Sequence, residues 1–312
     1  MRKLRAYLRG TLVGAVLRIL FRFPYRLRDL ISRKKYRFDL RTLLKGKYRY
    51  WRSRWYLRAH IKRERQHLEQ ARQRQAGYFT TADHNPMVSV VIPTWNRAEL
   101  LITRTLPSVL RQTYRNLEII IVGDCCTDNT AALVAAMDDS RIHFLNLPER
   151  GKYPSDKKAR WQVAGSAPKN MGLALCRGDW IAPLDDDDVF TPDHVEVLLH
   201  YAQENDLELV YGKLRIEEAA GRWKEKGLVN QHMSIQNSTM LFRSYLKLFT
   251  SDIDAWRFGL PVDYHRTVRY RETGVRIGFL NKVVAMMPLR PGQKNAGFLA
   301  DGRPENETVN AL

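Results

Sequence analysis

Two hydrophobic patterns alternate along the chain after Pro86. Short runs of consecutive apolar, often β-branched residues predict strands buried on both faces, and segments whose apolar residues recur every three or four positions predict amphipathic helices. The predicted strands are 88–92, 117–122, 141–145, 180–184 and 207–211, with a short apolar segment at 239–242 and the last strands within 275–287. The predicted helices are 98–114, 129–137, 166–176, 191–204 and 261–273, and 213–229 is predicted to be a hairpin-like excursion.

This alternation predicts an α/β fold in which helices flank a mostly parallel sheet. Successive parallel strands require right-handed crossovers, so the loops that follow them meet at one edge of the sheet. That edge would bring together the loop 94–97, Asp124 and the four aspartates 185–188. Open α/β sheets bind their ligands at this edge.

Residues 1–30 have another pattern, in which Arg alternates with apolar residues at helical spacing. The longest uncharged run, 10–17, is far shorter than the roughly 20 residues of a membrane-spanning helix. Arginines also interrupt any signal-peptide core. We predict a basic amphipathic helix that lies in the membrane interface. Packing against the protein's own body or a partner remains the open alternative.

The net charge of +19 arises in the N-terminal quarter. Residues 1–75 contain 24 Lys and Arg against four acidic residues, and the remainder contains 28 basic and 29 acidic residues. Tyr and Trp interleaved through 33–75, of which 58–75 is predicted to be helical, suit an anionic membrane surface or single-stranded nucleic acid. No named nucleic-acid motif is present, which disfavours nucleic acid as the partner. Three cysteines are too few for a disulfide framework and indicate reduced cytoplasmic thiols.

These shifts in composition define four predicted regions. Residues 1–76 form the basic helical extension, which binds a membrane or a partner, and 77–86 form a polar linker. Residues 87–290 form the α/β domain. Residues 291–312 form a flexible tail rich in polar residues, Gly and Pro.

The four aspartates at 185–188 follow an apolar run. Side chains two residues apart on an extended segment point the same way, so Asp185 and Asp187 can address one cation, and Asp186 is predicted to point away and be dispensable. Mg²⁺ and Mn²⁺ prefer such oxygen ligands and often share them with substrate phosphates. A calcium loop is excluded because the required Gly and distal Glu are not at their spacings. A solvated acidic loop is the structural alternative.

An ordered set of motifs resembles glycosyltransferase family 2, which has the GT-A fold. The resemblance covers residues 87–290. It rests on Val88-Ser-Val-Val-Ile-Pro-Thr-Trp-Asn-Arg97, Leu106-Pro-Ser-Val-Leu-Arg-Gln-Thr-Tyr114, Val122-Gly-Asp-Cys-Cys-Thr-Asp-Asn-Thr130, Lys169-Asn-Met-Gly172, Arg177-Gly178 and Leu184-Asp-Asp-Asp-Asp188. Together these motifs are far more specific than any one alone.

The resemblance implies a Rossmann-like GT-A domain that binds a nucleotide-sugar, with a UDP-sugar favoured. It implies a nucleoside pocket lined by Thr94, Asn96 and Arg97, with Asp124 accepting hydrogen bonds from the base. Lys169 stands where the family often has Arg and implies a cation beside the diphosphate.

The metal motif of the family falls on Asp185 and Asp187, which implies a Mn²⁺ or Mg²⁺ cofactor, and Asp188 would lie beside the donor sugar. An inverting transferase also needs a base for the acceptor hydroxyl. The family places it ahead of a helix, which here implies Asp263, with His265 as a weaker candidate.

Two departures from the family refine this prediction. The loop 149–165 is longer than usual, so it is expected to shape the donor or acceptor site. No Gln-x-x-Arg-Trp motif and no long apolar spans are present, which disfavours a processive synthase and favours transfer of one sugar per encounter. Arg290, Gln293 and Lys294 are proposed as a flap over the diphosphate.

The sequence therefore predicts a metal-dependent inverting glycosyltransferase, peripheral at the cytoplasmic face of the membrane. Its acceptor would be a glycan or a lipid-linked glycan in cell-surface polysaccharide or lipopolysaccharide synthesis. The first alternative is a membrane- or nucleic-acid-binding scaffold with a vestigial transferase domain. A nucleotidyltransferase is disfavoured because no Gly-rich phosphate loop follows the first predicted strand.

Overall fold

The computed structural model describes residues 40–75, 85–226 and 235–293. The predicted interfacial helix within 1–39, most of the predicted linker, and the tail from Lys294 onwards lie outside the described residues. Within the described residues, no helix is both long enough and apolar enough to cross a membrane.

Most strands follow the apolar runs of the sequence. The strands are β1 (Val88–Thr94), β2 (Leu117–Gly123), β3 (Ile142–Asn146), β4 (Trp180–Pro183), β5 (Val189–Phe190), β6 (Leu209–Ala219), β7 (Arg222–Lys226), β8 (Met240–Arg243) and β9 (Ile277–Met287). Of these, β5 and the polar β7 are additional to the apolar runs. In the described part of the chain they form one sheet in the order β3-β2-β1-β4-β8-β6-β9-β5, and β7 pairs with β6. The described part of the predicted excursion, 213–226, belongs to the β6–β7 hairpin.

The two halves of the sheet differ in strand direction. Strands β3, β2, β1 and β4 are parallel, and β1, β2 and β4 are buried along their whole length because helices cover both faces. Strand β8 runs antiparallel to both β4 and β6, β9 is parallel to β6, and β5 is antiparallel to β9. The start of β8 therefore lies at the same edge of the sheet as the end of β4.

The helices are α1 (Leu40–Gln75), α2 (98–110), α3 (Thr130–Ala135), α4 (Lys157–Val163), α5 (Ser166–Leu175), α6 (His194–Glu204) and α7 (Val262–Thr273). Helix α2 contains a π-helical segment, Leu101–Thr105, that directly precedes the turn containing Pro107. Proline lacks the N–H for a regular helical bond, so the local winding changes there. Helix α4 lies inside the region predicted as the loop 149–165.

Helix α5 lies close against β1. A Cβ atom added at Gly172 would stand 2.5 Å from Cγ1 of Val91. Glycine at this position allows the close approach of helix and strand. Gly172, the last residue of the Lys169-Asn-Met-Gly172 motif, thereby determines how close to β1 the helix that carries Lys169 lies.

The described side chains of α1 from residue 56 onwards pack on the α/β domain. Leu68 is fully buried in a cluster that includes Val91 and Phe242. The carboxylate of Glu64 pairs with the Arg269 guanidinium, and both side chains are nearly inaccessible. By their contacts, residues 49–312 form one compact unit, so this part of α1 belongs with the sheet.

The other compact unit comprises residues 1–48. Of this unit the structure describes only residues 40–48, which are helical. The predicted role of the 1–76 extension as a membrane- or partner-binding element stays a prediction.

Candidate active site

The sequence-predicted site residues lie at or just after the carboxyl ends of β1, β2 and β4, in helix α5, which carries Lys169, and at the start of α7. Thr94 closes β1 and connects two of these positions. Its carbonyl oxygen accepts a hydrogen bond from the Asp124 N–H at 2.8 Å, and its hydroxyl donates to Oδ2 of Asp186 at 2.8 Å. The loops after β1, β2 and β4 are thus joined, as parallel strands require.

Asn96 links the loop after β1 to the loop after β2. Its side-chain oxygen accepts from the Thr127 N–H at 2.8 Å, and its amide donates to the Thr127 hydroxyl at 3.1 Å. Asn96 has a φ of 50° and Cys125 a φ of 59°, a region that non-glycine residues rarely occupy. Such backbone conformations persist where surrounding contacts enforce them, and they concentrate in functional loops.

Asp124 is buried and faces the region 149–165. Its Oδ1 accepts a hydrogen bond from the Gly151 N–H at 2.9 Å, and Nε of Arg150 lies 3.8 Å from its Oδ2. The Arg150 guanidinium is centred 3.3 Å above the half-exposed Trp95 ring. The region 149–165 therefore packs over Asp124 and Trp95, at the predicted nucleotide pocket.

The prediction that Asp186 points away is wrong. Asp186 is 6 % exposed, and its Oδ1 accepts from Nη1 of Arg97 at 2.7 Å. The same guanidinium nitrogen lies 3.2 Å from Oδ2 of Asp187. Strand β4 ends at Pro183, so the alternation of an extended strand does not continue through the turn that follows. We call residues 185–188 the acidic loop.

Arg290 also contacts the acidic loop. Its Nε donates to Oδ2 of Asp187, and its backbone N–H is held by the Gln293 side chain at 3.0 Å. The third proposed flap residue, Lys294, lies outside the described residues.

Sequence reasoning missed Asn237 and Ser238, which contact the acidic loop directly. The Ser238 hydroxyl accepts from the Asp185 N–H at 3.1 Å and donates to Oδ2 of Asp188 at 2.5 Å. The Asn237 amide donates to Oδ1 of Asp185 at 3.3 Å. The only signal was a run of hydrogen-bonding residues, 236–239, before a short strand. This run reaches the acidic loop only because β8 is antiparallel to β4.

Asp263, in the first turn of α7, lies beside Lys169 of α5. Nζ of the buried Lys169 is 3.6 Å from Oδ1 of Asp263. Lys169 also acts electrostatically on Asp185, so the three charged groups are neighbours. The lysine therefore lies between the acidic loop and the candidate base.

His265 lies on the opposite side of α7 from this group. It is fully buried, its ring centroid lies 6.1 Å from that of Tyr56 and 6.3 Å from that of His60, and Nε2 is 3.9 Å from Asp252. Burial lowers the pKa of His265 to about 4. His265 packs against α1, away from Asp263, because residues two apart face different sides of a helix.

A family comparison now identifies the domain. The sequence model of the family "Glycosyl transferase family 2" matches residues 89–266. The chain belongs to glycosyl transferase family 2. The predicted family and the enzyme class, a glycosyltransferase, are thereby confirmed.

Two curated relatives illustrate the sequence similarity. The "Putative colanic acid biosynthesis glycosyl transferase WcaA" of Escherichia coli K12 is 37% identical over 123 residues, which are 39% of this chain and 39% of WcaA. The "UDP-Glc:alpha-D-GlcNAc-diphosphoundecaprenol beta-1,3-glucosyltransferase WfgD" of Escherichia coli is 30% identical over 130 residues, 42% of this chain and 46% of WfgD. The chain thus matches less than half of each relative's length.

A solved structure of TarS from Staphylococcus aureus shares the fold. It superimposes with a TM-score of 0.51 at 18% sequence identity, over 66% of this chain and 37% of TarS. The predicted GT-A architecture, a helix-flanked α/β sheet, is confirmed.

The electrostatics of this family 2 site favour a cation. Burial raises the pKa of Asp185 to about 6, with the Asp263 and Asp187 charges acting in the same direction and Lys169 opposing them. Burial also raises the pKa of Asp188 well above its ordinary value. Among the described residues, the buried Oδ1 of Asp188 has no hydrogen-bond partner. Carboxylates gathered in this way are costly unless positive charge compensates them.

The acidic loop fits a divalent ion shared with a ligand. In the described part of the chain, no group of three or more His, Cys, Asp and Glu side chains is arranged to hold a metal by itself. Asp185 and Asp187 supply hard oxygen donors, and Mg²⁺ and Mn²⁺ typically complete their coordination with substrate phosphates and water. The residues present therefore fit the metal that the family implies.

Proposed function

We propose that this protein transfers a single sugar, with inversion, from a nucleotide-sugar to a hydroxyl group of a glycan or glycolipid. The observation that carries the proposal is the Lys169–Asp263 pair beside the acidic loop, at the edge where the loops after β1 and β2 also meet. The proposed base, a neighbouring cation and the carboxylates proposed to bind the metal thus lie at one edge of the sheet. Inverting transfer needs a base for the acceptor hydroxyl and positive charge near the leaving group, and these residues could supply both.

Asp263 is proposed as the base that removes the acceptor hydroxyl proton. Its Oδ1 is buried and accepts no hydrogen bond within the described residues, and its charged neighbour is Lys169. The Lys169 ammonium 3.6 Å away would orient the carboxylate.

The donor is proposed to lie between the loops after β1 and β2 and the acidic loop. Asp124 would accept hydrogen bonds from the nucleobase. The nucleoside would be framed by Thr94, Asn96 and Arg97, and Asp188 would border the sugar. Asp185 and Asp187 would hold Mn²⁺ or Mg²⁺. When bound, this ion would offset the negative charge that develops on the leaving diphosphate. A UDP donor is favoured because the relative WfgD is named for UDP-Glc.

The acceptor is proposed to be a cell-surface polysaccharide or lipopolysaccharide precursor at the cytoplasmic membrane face. WcaA is named for colanic acid biosynthesis, and WfgD for a diphosphoundecaprenol-linked acceptor. The 24 Lys and Arg of residues 1–75 suit an anionic lipid surface, to which each basic residue near the surface contributes about 1 kcal/mol.

A thermal-shift screen of nucleotide-sugars, with and without Mn²⁺, tests the donor and the metal together. A ligand that binds the native state raises the melting temperature, so a UDP-sugar should do so with Mn²⁺ and much less in EDTA. Transfer to a synthetic lipid-diphosphate sugar, followed by NMR of the new anomeric bond, tests inversion. Equal shifts in EDTA, or retention of configuration, would contradict the proposal.

A further inference from the structure

Residues 235–239, which we call the bridging segment, lie between the acidic loop and α7. On one side Ser238 holds both ends of the acidic loop, through the Asp185 N–H and the Asp188 carboxylate. Asn237 adds a hydrogen bond to the Asp185 carboxylate. The loop is thereby fixed from outside β4.

On its other side the bridging segment contacts α7. The Arg266 guanidinium donates to Oδ1 of Asn237, and the Ile235 N–H donates to the Thr267 hydroxyl at 3.0 Å. Arg266 and Thr267 lie three and four residues after Asp263, on the same face of α7. The segment therefore connects the helix of the candidate base to the loop of the candidate metal ligands.

Burial makes these contacts consequential. Asn237, Ser238 and Arg266 are each at most 2 % exposed. Within the described residues Ser238 donates the one side-chain hydrogen bond that reaches the Asp188 carboxylate, whose other oxygen has no partner. Water cannot replace a lost hydrogen bond at such a buried position without rearrangement.

We propose that Ser238 and Asn237 are positioning residues that hold the acidic loop at a fixed distance from Asp263, with Arg266 anchoring Asn237. This inference rests on the proposed function, because it assigns the acidic loop and Asp263 to one reaction. The inference assigns a role to residues that do not themselves contact the reacting atoms of the donor or the acceptor. Groups that orient metal-binding carboxylates typically change metal affinity or activity by about 10- to 100-fold when removed.

The first test measures binding of UDP to the full chain by calorimetry, with Mn²⁺ and with EDTA. Ser238→Ala should weaken UDP binding in Mn²⁺ by about 10- to 100-fold and change binding in EDTA little. Thr239→Ala is the matched control, since the Thr239 hydroxyl is equally buried but donates to the Gln236 carbonyl at 2.9 Å. Unchanged UDP affinity of Ser238→Ala in Mn²⁺, with only a lower melting temperature, would overturn the inference.

A double-mutant cycle separates positioning from packing. If Ser238 acts through Asp188, Ser238→Ala should have little further effect on UDP affinity in an Asp188→Ala background. Full additivity of the two substitutions would contradict that route. Arg266→Lys, which keeps a buried cation, should retain more affinity than Arg266→Met.

Asp187→Ala distinguishes failure of the inference from failure of the proposed function. If Asp187→Ala leaves the Mn²⁺ dependence of UDP binding intact, the metal assignment itself fails. If Asp187→Ala abolishes that dependence and Ser238→Ala does not alter it, only the positioning role fails.

Discussion

The balance between buried carboxylates and buried cations differs between the two sides of α7. On the side facing α1, Glu64 is matched by Arg269, and Glu208 by Arg72 at 2.6 Å, with Tyr245 donating a further hydrogen bond to Glu208. On the side facing the acidic loop, Asp263 and the four aspartates at 185–188 have Lys169, Arg97 and Arg290 as their paired cations among the described residues. Among these described groups, carboxylates outnumber cations on the second side and equal them on the first.

This difference separates a structural from a functional use of charge. A matched buried pair fixes how two helices pack and needs nothing further. An excess of buried carboxylates costs folding free energy and is compensated when a cation and a ligand bind. Substitutions on the two sides should therefore change different observables.

The largest expected effect is on catalysis, from Asp263→Asn. Asparagine keeps the shape of the side chain but cannot take the proton, so kcat should fall by about 100- to 10,000-fold while UDP affinity stays the same. Steady-state kinetics and calorimetry measure the two quantities. Asp206→Asn, at an exposed position with 83% side-chain accessibility, is the control. A similar loss of kcat in that control would show a nonspecific effect.

On the α1 side, Glu64→Ala should chiefly affect stability. It leaves the Arg269 guanidinium buried without its carboxylate partner, which typically costs about 3–5 kcal/mol. Urea unfolding measures this loss. Glu69→Ala is the matched control on the same helix, because Glu69 is exposed. If the Glu64 variant unfolds like the parent protein, α1 is not part of the stable unit.

The pH dependence of unfolding should reveal His265. Its pKa is lowered to about 4 by burial and by Arg269 and His60, with Asp252 opposing, whereas an unfolded histidine has a pKa near 6.5. The unfolded chain binds the extra proton between these values. Stability should therefore fall by up to about 1.4 kcal/mol per pH unit as the pH drops from 6.5 to 4.

His265→Gln is the variant that isolates this contribution. Glutamine does not titrate, so the slope of unfolding free energy against pH should decrease between pH 6.5 and 4. Equal slopes in the variant and the parent protein would assign the acid sensitivity to other groups.

The smallest expected effect is a gain in stability from Asp188→Asn. Burial raises the pKa of Asp188, so the folded state loses stability as the pH rises above the unfolded pKa of about 3.9. A neutral amide removes this loss and can still accept from Ser238, and should add about 1 kcal/mol at pH 7 without metal. The gain should disappear at pH 3. A loss of stability at pH 7 would mean that the Asp188 charge is compensated in the folded protein.

The sequence predicted the parallel half of the sheet well, because β1, β2 and β4 are continuous apolar runs. It also brought Thr94, Asp124 and the acidic loop to one edge. It failed for Asp186, because the strand ends at Pro183 and the chain turns.

The remaining failures have separate physical causes. Asn237 and Ser238 were missed because only the antiparallel pairing of β8 brings residues 237–239 to that edge. The position of His265 could have been predicted, because a residue two positions from Asp263 on a helix faces another side.

The contact between Glu64 and Arg269 joins residues 205 positions apart in the chain. At translation rates of about 5–20 residues per second, Glu64 is synthesised roughly 10–40 s before its partner exists. Leu68 is likewise synthesised before Phe242, its neighbour in the buried cluster. During synthesis this half of α1 therefore precedes most of the structure that buries it, and full docking of the helix is a late step of co-translational folding.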